Sequence, residues 1–191
     1  MAWIIRRPAE HQHRSVNKFL ERHIVGFNAQ DAERQEAQQR ARAGRFLATD
    51  ENGTVLPSTW LAAYDGKELV GAINVTMPYE HVLQAVEYGL DDHARGLARV
   101  RRTLCGLAVR EDMRRQGIAN ALIEEAEAVS KAEGASLLAG FMDEENGNPA
   151  FYESSGYTTM PRNKPLPYVG EFPIREVHPQ GINGHWFYKE I

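Results

Sequence analysis

Blocks of apolar and polar residues follow one another along the chain with two different periods. Trp3 to Arg6 reads as a short first strand. Pro8 opens a polar region reaching Gly44, in which Val16, Phe19, Leu20, Ile24 and Phe27 recur at helical spacing. Gly26 and Asn28 divide this region into two helices. The second, Asp31 to Arg42, has only Ala32, Ala37 and Ala41 as apolar residues, which predicts a surface helix stopped at Gly44. Thr59 to Tyr64 and Leu69 to Thr76 are apolar or β-branched runs separated by Asp65-Gly66-Lys67, a hairpin signal. From Pro78 to Leu97, Val82, Leu83, Val86 and Leu90 predict a helical insertion punctuated by Asp91-Asp92 and Gly96. Thr103 to Val109 reads as a buried strand. Gly117 to Glu133 reads as an amphipathic helix with Ile118, Leu122, Ala126 and Val129 turned inward, closed by Gly134. Ser136 to Met142 is a further buried strand, Pro149 to Ser154 a short helix and Tyr157 to Met160 a strand. Five prolines between Pro161 and Pro179 imply an irregular crossing before a closing strand, His185 to Ile191. This order predicts a single α/β domain over residues 1–191. Its mixed sheet is antiparallel in the first half, parallel in the middle and flanked by helices.

Composition adds mainly exclusions. An apolar share of 42% in 191 residues supplies one domain with a core of its own. No apolar run approaches a membrane span, and Arg6 and Arg7 follow the apolar start instead of preceding it, the reverse of a secretory signal. The single cysteine, Cys105, excludes an internal disulfide framework and a cysteine zinc site, and on its strand it reads as a buried thiol and not as a nucleophile. His11 and His13 belong to no recognisable ligand set. A cytoplasmic protein without a metal is expected.

The net charge of -4 argues against nucleic acid as the main partner, but its distribution is uneven. Six arginines lie between Arg99 and Arg115 against Glu111 and Asp112, while eight acids lie between Ala119 and Ser155 against Lys131. A basic site beside an acidic face suits an anionic cofactor and a cationic acceptor. Two solvated faces would give the same pattern.

The stretch with the most chemistry is Leu107 to Ala119. A strand ends at Val109, and a polar turn with Arg114, Arg115 and Gly117 runs straight into a helix. Amides at a helix start have no partner inside the helix and carry the positive end of its dipole, so the turn is a phosphate cradle in physical terms. The G-x-x-x-x-G-K-[ST] and G-x-G-x-x-G patterns are both absent. A basic turn that merely caps a helix is the plainer reading of these residues taken alone.

With its flanks, the segment resembles the GNAT superfamily of acyl-CoA-dependent N-acyltransferases. Val109 and Arg114 to Ala119 match that family's strand, turn and R/Q-x-x-G-x-G/A. Ser136 to Met142, Asn146 or Asn148, Tyr152 and Gly156-Tyr157 match its next landmarks. The tight resemblance spans about Thr103 to Met160. It implies an acetyl-CoA (or other acyl-CoA) co-substrate with its pyrophosphate on the turn formed by Arg114, Arg115, Gln116, Gly117, Ile118, Ala119 and Asn120. The pantetheine arm would run beside Leu107, Ala108 and Val109, aided by Asn148 or Asn146. The resemblance also implies Tyr152 as the acid that protonates the departing thiolate, and transfer of acetyl to a small-molecule or peptide amine. One departure is the strand from Arg102 to Val109, which lacks the carboxylate many members place there. Glu80, Glu87, His81 and Asp143 to Glu145 are the remaining candidates for a base. The insertion is expected to bring Tyr79, Glu80, His81, Glu87 and Tyr88 together as an acceptor wall, or else to pack on the sheet or against a second copy of the chain. A CoA-binding module without turnover, and an acyltransferase for a protein amine or for charged tRNA, are the competing readings. Arg95, Arg99, Arg101 and Arg102 would be the footprint for tRNA.

Overall fold

The computed structural model describes residues 3–48, 56, 58–144, 147–166 and 183–191. The chain runs through β1 (Trp3–Arg6), α1 (His13–His23), α2 (Ala29–Leu47), β2 (Thr59–Asp65), β3 (Glu68–Thr76), α3 (Tyr79–Glu87) and α4 (Asp91–Val100). It continues through β4 (Arg101–Val109), α5 (Ile118–Ala132), β5 (Leu137–Asp143), α6 (Pro149–Ser154), β6 (Thr158–Thr159) and β7 (Gly184–Glu190). Among the described residues one seven-stranded sheet has the order β1-β2-β3-β4-β5-β7-β6, and β4 with β5 is its one parallel pair. This is the mixed α/β architecture that the strand and helix periods predict. Among the described residues no helix is long and apolar enough to cross a membrane.

Both faces of the sheet are covered, which is why its central strands read as continuous apolar runs. Leu61 and Ala63 of β2, with Ile73 and Val75 of β3, pack under Ile118, Leu122, Ile123 and Ala126 of α5. The alternate residues Trp60, Ala62, Tyr64 and Ala72 meet Val16, Phe19 and Leu20 of α1 on the other face. Gly71 permits the close approach of α5, since a Cβ there would stand 2.8 Å from Ile118 Cγ2.

Two glycines expected to stop helices lie inside them. α2 continues through Gly44 to Leu47, because Ala43 and Leu47 bury themselves against α3 and α4. That packing offsets the roughly 1 kcal/mol a helical glycine costs. Gly96 is likewise buried within α4, and the insertion breaks instead at Gly89 (φ +71), giving two helices. Asn28, expected only to separate two helices, is the cap of α2, accepting from Asp31 N–H at 3.0 Å. Most of the proline-rich crossing, residues 167–182, lies outside the described residues.

The feature that shapes the site is a β-bulge. Asn74 pairs with Gly106 but Val75 pairs with Leu104, so Cys105 is an extra residue on β4. A bulge bends and twists its strand. The parallel pairing of β4 with β5 ends there, at Leu104 and Gly140, and the two strands diverge beyond it. Gly140 faces Phe187 of β7, and a Cβ on it would come within 2.3 Å of the ring. Gly140→Ala is therefore expected to destabilise the protein by about 1–3 kcal/mol, as overpacking does. An unchanged urea midpoint would mean the ring can move aside.

Candidate active site

The turn between β4 and α5 begins with a short 3₁₀ turn, Glu111–Met113, followed by two residues in the left-handed region, Arg115 (φ 61) and Gly117 (φ 81). Gly117 caps α5, and Ala121 N–H is the first to donate back to it, at 3.0 Å. The amides of Arg115 through Asn120 therefore open outward without a partner among the described residues. Ile118 contributes only its backbone, since its side chain is buried in the core. Arg114 and Arg115 are exposed; Arg114 Nε donates to Val109 O at 3.3 Å. Arg110 is engaged by Asp112 and Glu68, at 2.7 and 2.8 Å, so it adds little free charge. Gln116 leans back onto Asp112 O at 3.4 Å.

A cavity of about 440 Å³ runs from this turn into the gap between β4 and β5. Leu107, Ala108, Val109, Arg114, Ala119, Asn148 and Tyr152 all line it. Arg110 N–H bonds to Val70 O on the β3 side, so strand alternation turns the backbone groups of Leu107 and Val109 toward the gap. Asn148 also caps α6, its side chain accepting from Phe151 N–H at 3.1 Å, while Asn146 lies outside the described residues.

Tyr152 stands on α6 with its ring stacked on Phe187, centroids 3.7 Å apart and planes inclined by 19°. Its hydroxyl has no hydrogen-bond partner among the described residues, and burial pushes its pKa up to about 12. The phenol therefore keeps its proton across the neutral range. His23, from the end of α1, is a lining residue that periodicity did not disclose. Its pKa is lowered by burial and then by Arg22, Arg114 and Arg110.

A second cavity, of about 300 Å³, lies on the face of the sheet under α1 and α2. The two cavities share Leu104, Cys105 and Phe141, so they meet at the bulge. Cys105 is consequently not the buried thiol its strand suggested, because the bulge turns it onto the cleft floor where solvent reaches it. Protein still surrounds it closely enough that desolvation raises its pKa to about 11, despite a 3.3 Å hydrogen bond with Thr76 Oγ1. A thiol in that state is a poor nucleophile at neutral pH.

Several expected groupings come apart. Tyr79, Glu80 and His81 line the second cavity, but Glu87 does not: it pairs with Arg42 at 3.1 Å on the surface. Tyr88 is 67% exposed. α3 turns only its first residues toward the sheet, which separates the two ends of the expected wall. Glu144 is bound to Arg162 at 2.7 Å and Asp143 lines the first cavity, so these two acids do not face the second. Arg101 and Arg102 cannot form a surface footprint for nucleic acid, being 0% and 2% exposed. The Arg101 guanidinium lies 5.7 Å from the Trp186 ring, and Arg102 donates to Ala98 O, Arg101 O and Glu133. The acids that do line the second cavity are Glu33 and Glu36 of α2 with Glu80 of α3, beside Asn74, Trp60 and Trp186. Among the described residues no group of three or more His, Cys, Asp or Glu could hold a metal ion.

Solved structures similar to the chain share this architecture. Ard1 from Thermoplasma volcanium superposes with a TM-score of 0.61 at 14% identity, covering 100% of this chain and 99% of that one. The ribosomal-protein-S18-alanine N-acetyltransferase from Escherichia coli gives 0.60 at 14% identity, covering 100% and 94%. The PaiA N-acetyltransferase from Thermoplasma acidophilum, solved in complex with coenzyme A, gives 0.57 at 13% identity and covers 100% of both. At such identities the likeness shows the fold alone. No curated protein matches the chain in sequence. The sequence profile of the acetyltransferase (GNAT) family, in contrast, matches residues 15–157. With that match over more than half of its length, the chain belongs to the acetyltransferase (GNAT) family.

Proposed function

We propose that this protein transfers an acyl group, acetyl by preference, from acyl-CoA to a primary amine by direct attack, with Tyr152 as general acid. The observation that carries this reading is the meeting of two cavities at the bulge, one with a phosphate-type turn and a neutral phenol, the other with acids and aromatic rings. The donor fits the first cavity chemically. Outward amides from Arg115 to Asn120 and the exposed Arg114 and Arg115 would hold its pyrophosphate. Backbone groups of Leu107 and Val109 would hold its amide-bearing arm, with Asn148 beside it. When bound, acetyl-CoA supplies the activated thioester. Leu107 N–H, directed into the gap, stabilises negative charge developing on the carbonyl oxygen. As the carbon–sulfur bond breaks, Tyr152 delivers a proton to the departing sulfur, the nitrogen gives up its own proton to solvent, and solvent restores the phenol. The apolar floor at Leu104 and Phe141 strips water from the attacking nitrogen, which favours its neutral form.

An acceptor screen tests this. With acetyl-CoA and a panel of primary amines, amine-dependent release of free thiol is expected. The Cys105→Ala variant should turn over within about threefold of wild type, without an acetylated enzyme in a burst, because the thiol forms no intermediate. Binding of CoA with no release from any amine would convert the assignment to a CoA-binding module.

A further inference from the structure

The second cavity narrows its occupant further, on the proposed reading that it receives the acceptor. Glu33, Glu36 and Glu80 line it, and no Lys or Arg stands among its described lining residues. Glu33 accepts a hydrogen bond from Asn17 Nδ2 and Glu36 one from Ser58 Oγ, neutral donors that cancel neither charge. None of the three acids is ion-paired to a described residue. Trp60 and Phe27 supply aromatic walls, surfaces that attract a desolvated cation, while the Trp186 ring already faces the Arg101 guanidinium at 5.7 Å.

Asn74 is the independent observation. Ile73 and Val75 point under α5, so alternation turns Asn74 to the cavity face, directly across from Gly106 at the bulge. The residue is 6% exposed, and its Oδ1 is buried without a hydrogen-bond partner among the described residues. A buried amide oxygen left unsatisfied is destabilising, and a lone polar residue in an apolar strand beside a cavity is satisfied when a ligand donates to it.

We propose that the acceptor is a linear amine with a second, remote cation, a diamine or longer oligoamine. Its reacting nitrogen donates to Asn74 at the bulge, and its remote cation lies among Glu33, Glu36 and Glu80. A monoamine of equal length makes only the first contact.

The test compares 1,5-diaminopentane with pentylamine as acceptors for the full chain and acetyl-CoA. The diamine is expected to have a kcat/KM about tenfold or more above that of the monoamine. In the Glu33→Gln/Glu36→Gln/Glu80→Gln variant that ratio should collapse toward one, while CoA binding by calorimetry is retained as evidence of folding. Asn74→Leu should lower kcat with the diamine yet leave the melting temperature unchanged or raised. A merely structural asparagine would lower the melting temperature instead. A wild-type ratio near one, or a ratio that survives in the triple variant, overturns the inference and leaves the acyltransferase reading intact. Absence of thiol release with both amines, when another amine of the panel supports it, overturns this inference alone; absence with every amine of the panel, despite CoA binding, overturns the acyltransferase reading as well.

Discussion

Tyr152→Phe is expected to reduce turnover by about a hundredfold or more while CoA affinity stays nearly constant. The substitution keeps the ring that stacks on Phe187 at 3.7 Å and removes only a hydroxyl with no partner among the described residues. Little structure is lost, so the change isolates the proton. The sign of the pKa shift supports the role: burial raises it to about 12, and the acid form is therefore the one present near neutrality. Wild-type kcat rises or stays level with pH through the neutral range if Tyr152 is the acid, because it does not ionise there. A variant as fast as wild type would return Tyr152 to a packing role. Steady-state kinetics paired with calorimetric titration of CoA separates the two outcomes.

Gly117→Glu is expected to weaken acyl-CoA binding on the order of a hundredfold or more, the protein remaining folded. A side chain there meets nothing within 4 Å, so bulk alone is tolerated. The backbone is not indifferent, since φ is +81 and a non-glycine residue in that region costs about 1–2 kcal/mol. Gly117→Ala carries the same backbone cost without the charge. The difference between the two variants therefore reports the electrostatic clash with the pyrophosphate. If both bind CoA like wild type, the pyrophosphate does not lie on this turn.

Local chemistry accounts for what was legible in the chain. The hairpin at Asp65-Gly66, the helix break at Asn28 and the glycine at the head of α5 each act through their own backbone or immediate neighbours. They can be read without knowing what packs on them. The cradle from Arg114 to Asn120 belongs to the same class, because a helix start presents free amides whatever the surrounding fold. The glycines at 44 and 96 misled for the converse reason. Their local preference is worth only about a kilocalorie per mole, and burial of Ala43, Leu47, Ala94 and Ala98 overrides it.

The second cavity depends on registers and contacts that no local pattern encodes. Whether Cys105 faces the core or the cleft is decided by one extra residue in the ladder between β3 and β4. Arg101 and Arg102 look like a surface charge pair in the chain, yet packing beneath Trp186 and beside Glu133 removes them from solvent. Phe187, seated over Gly140, positions Tyr152 from more than thirty residues away in sequence. Glu33 and Glu36, unremarkable on a polar helix, meet Glu80 and Asn74 only because α2 and β3 flank the same cavity. The sequence by itself determined the strands, most of the helices and the turn of outward amides at the head of α5, whose energies are set within a few residues. The tertiary structure alone decided which charges are exposed, which are buried and which converge, because those depend on contacts between segments far apart in the chain.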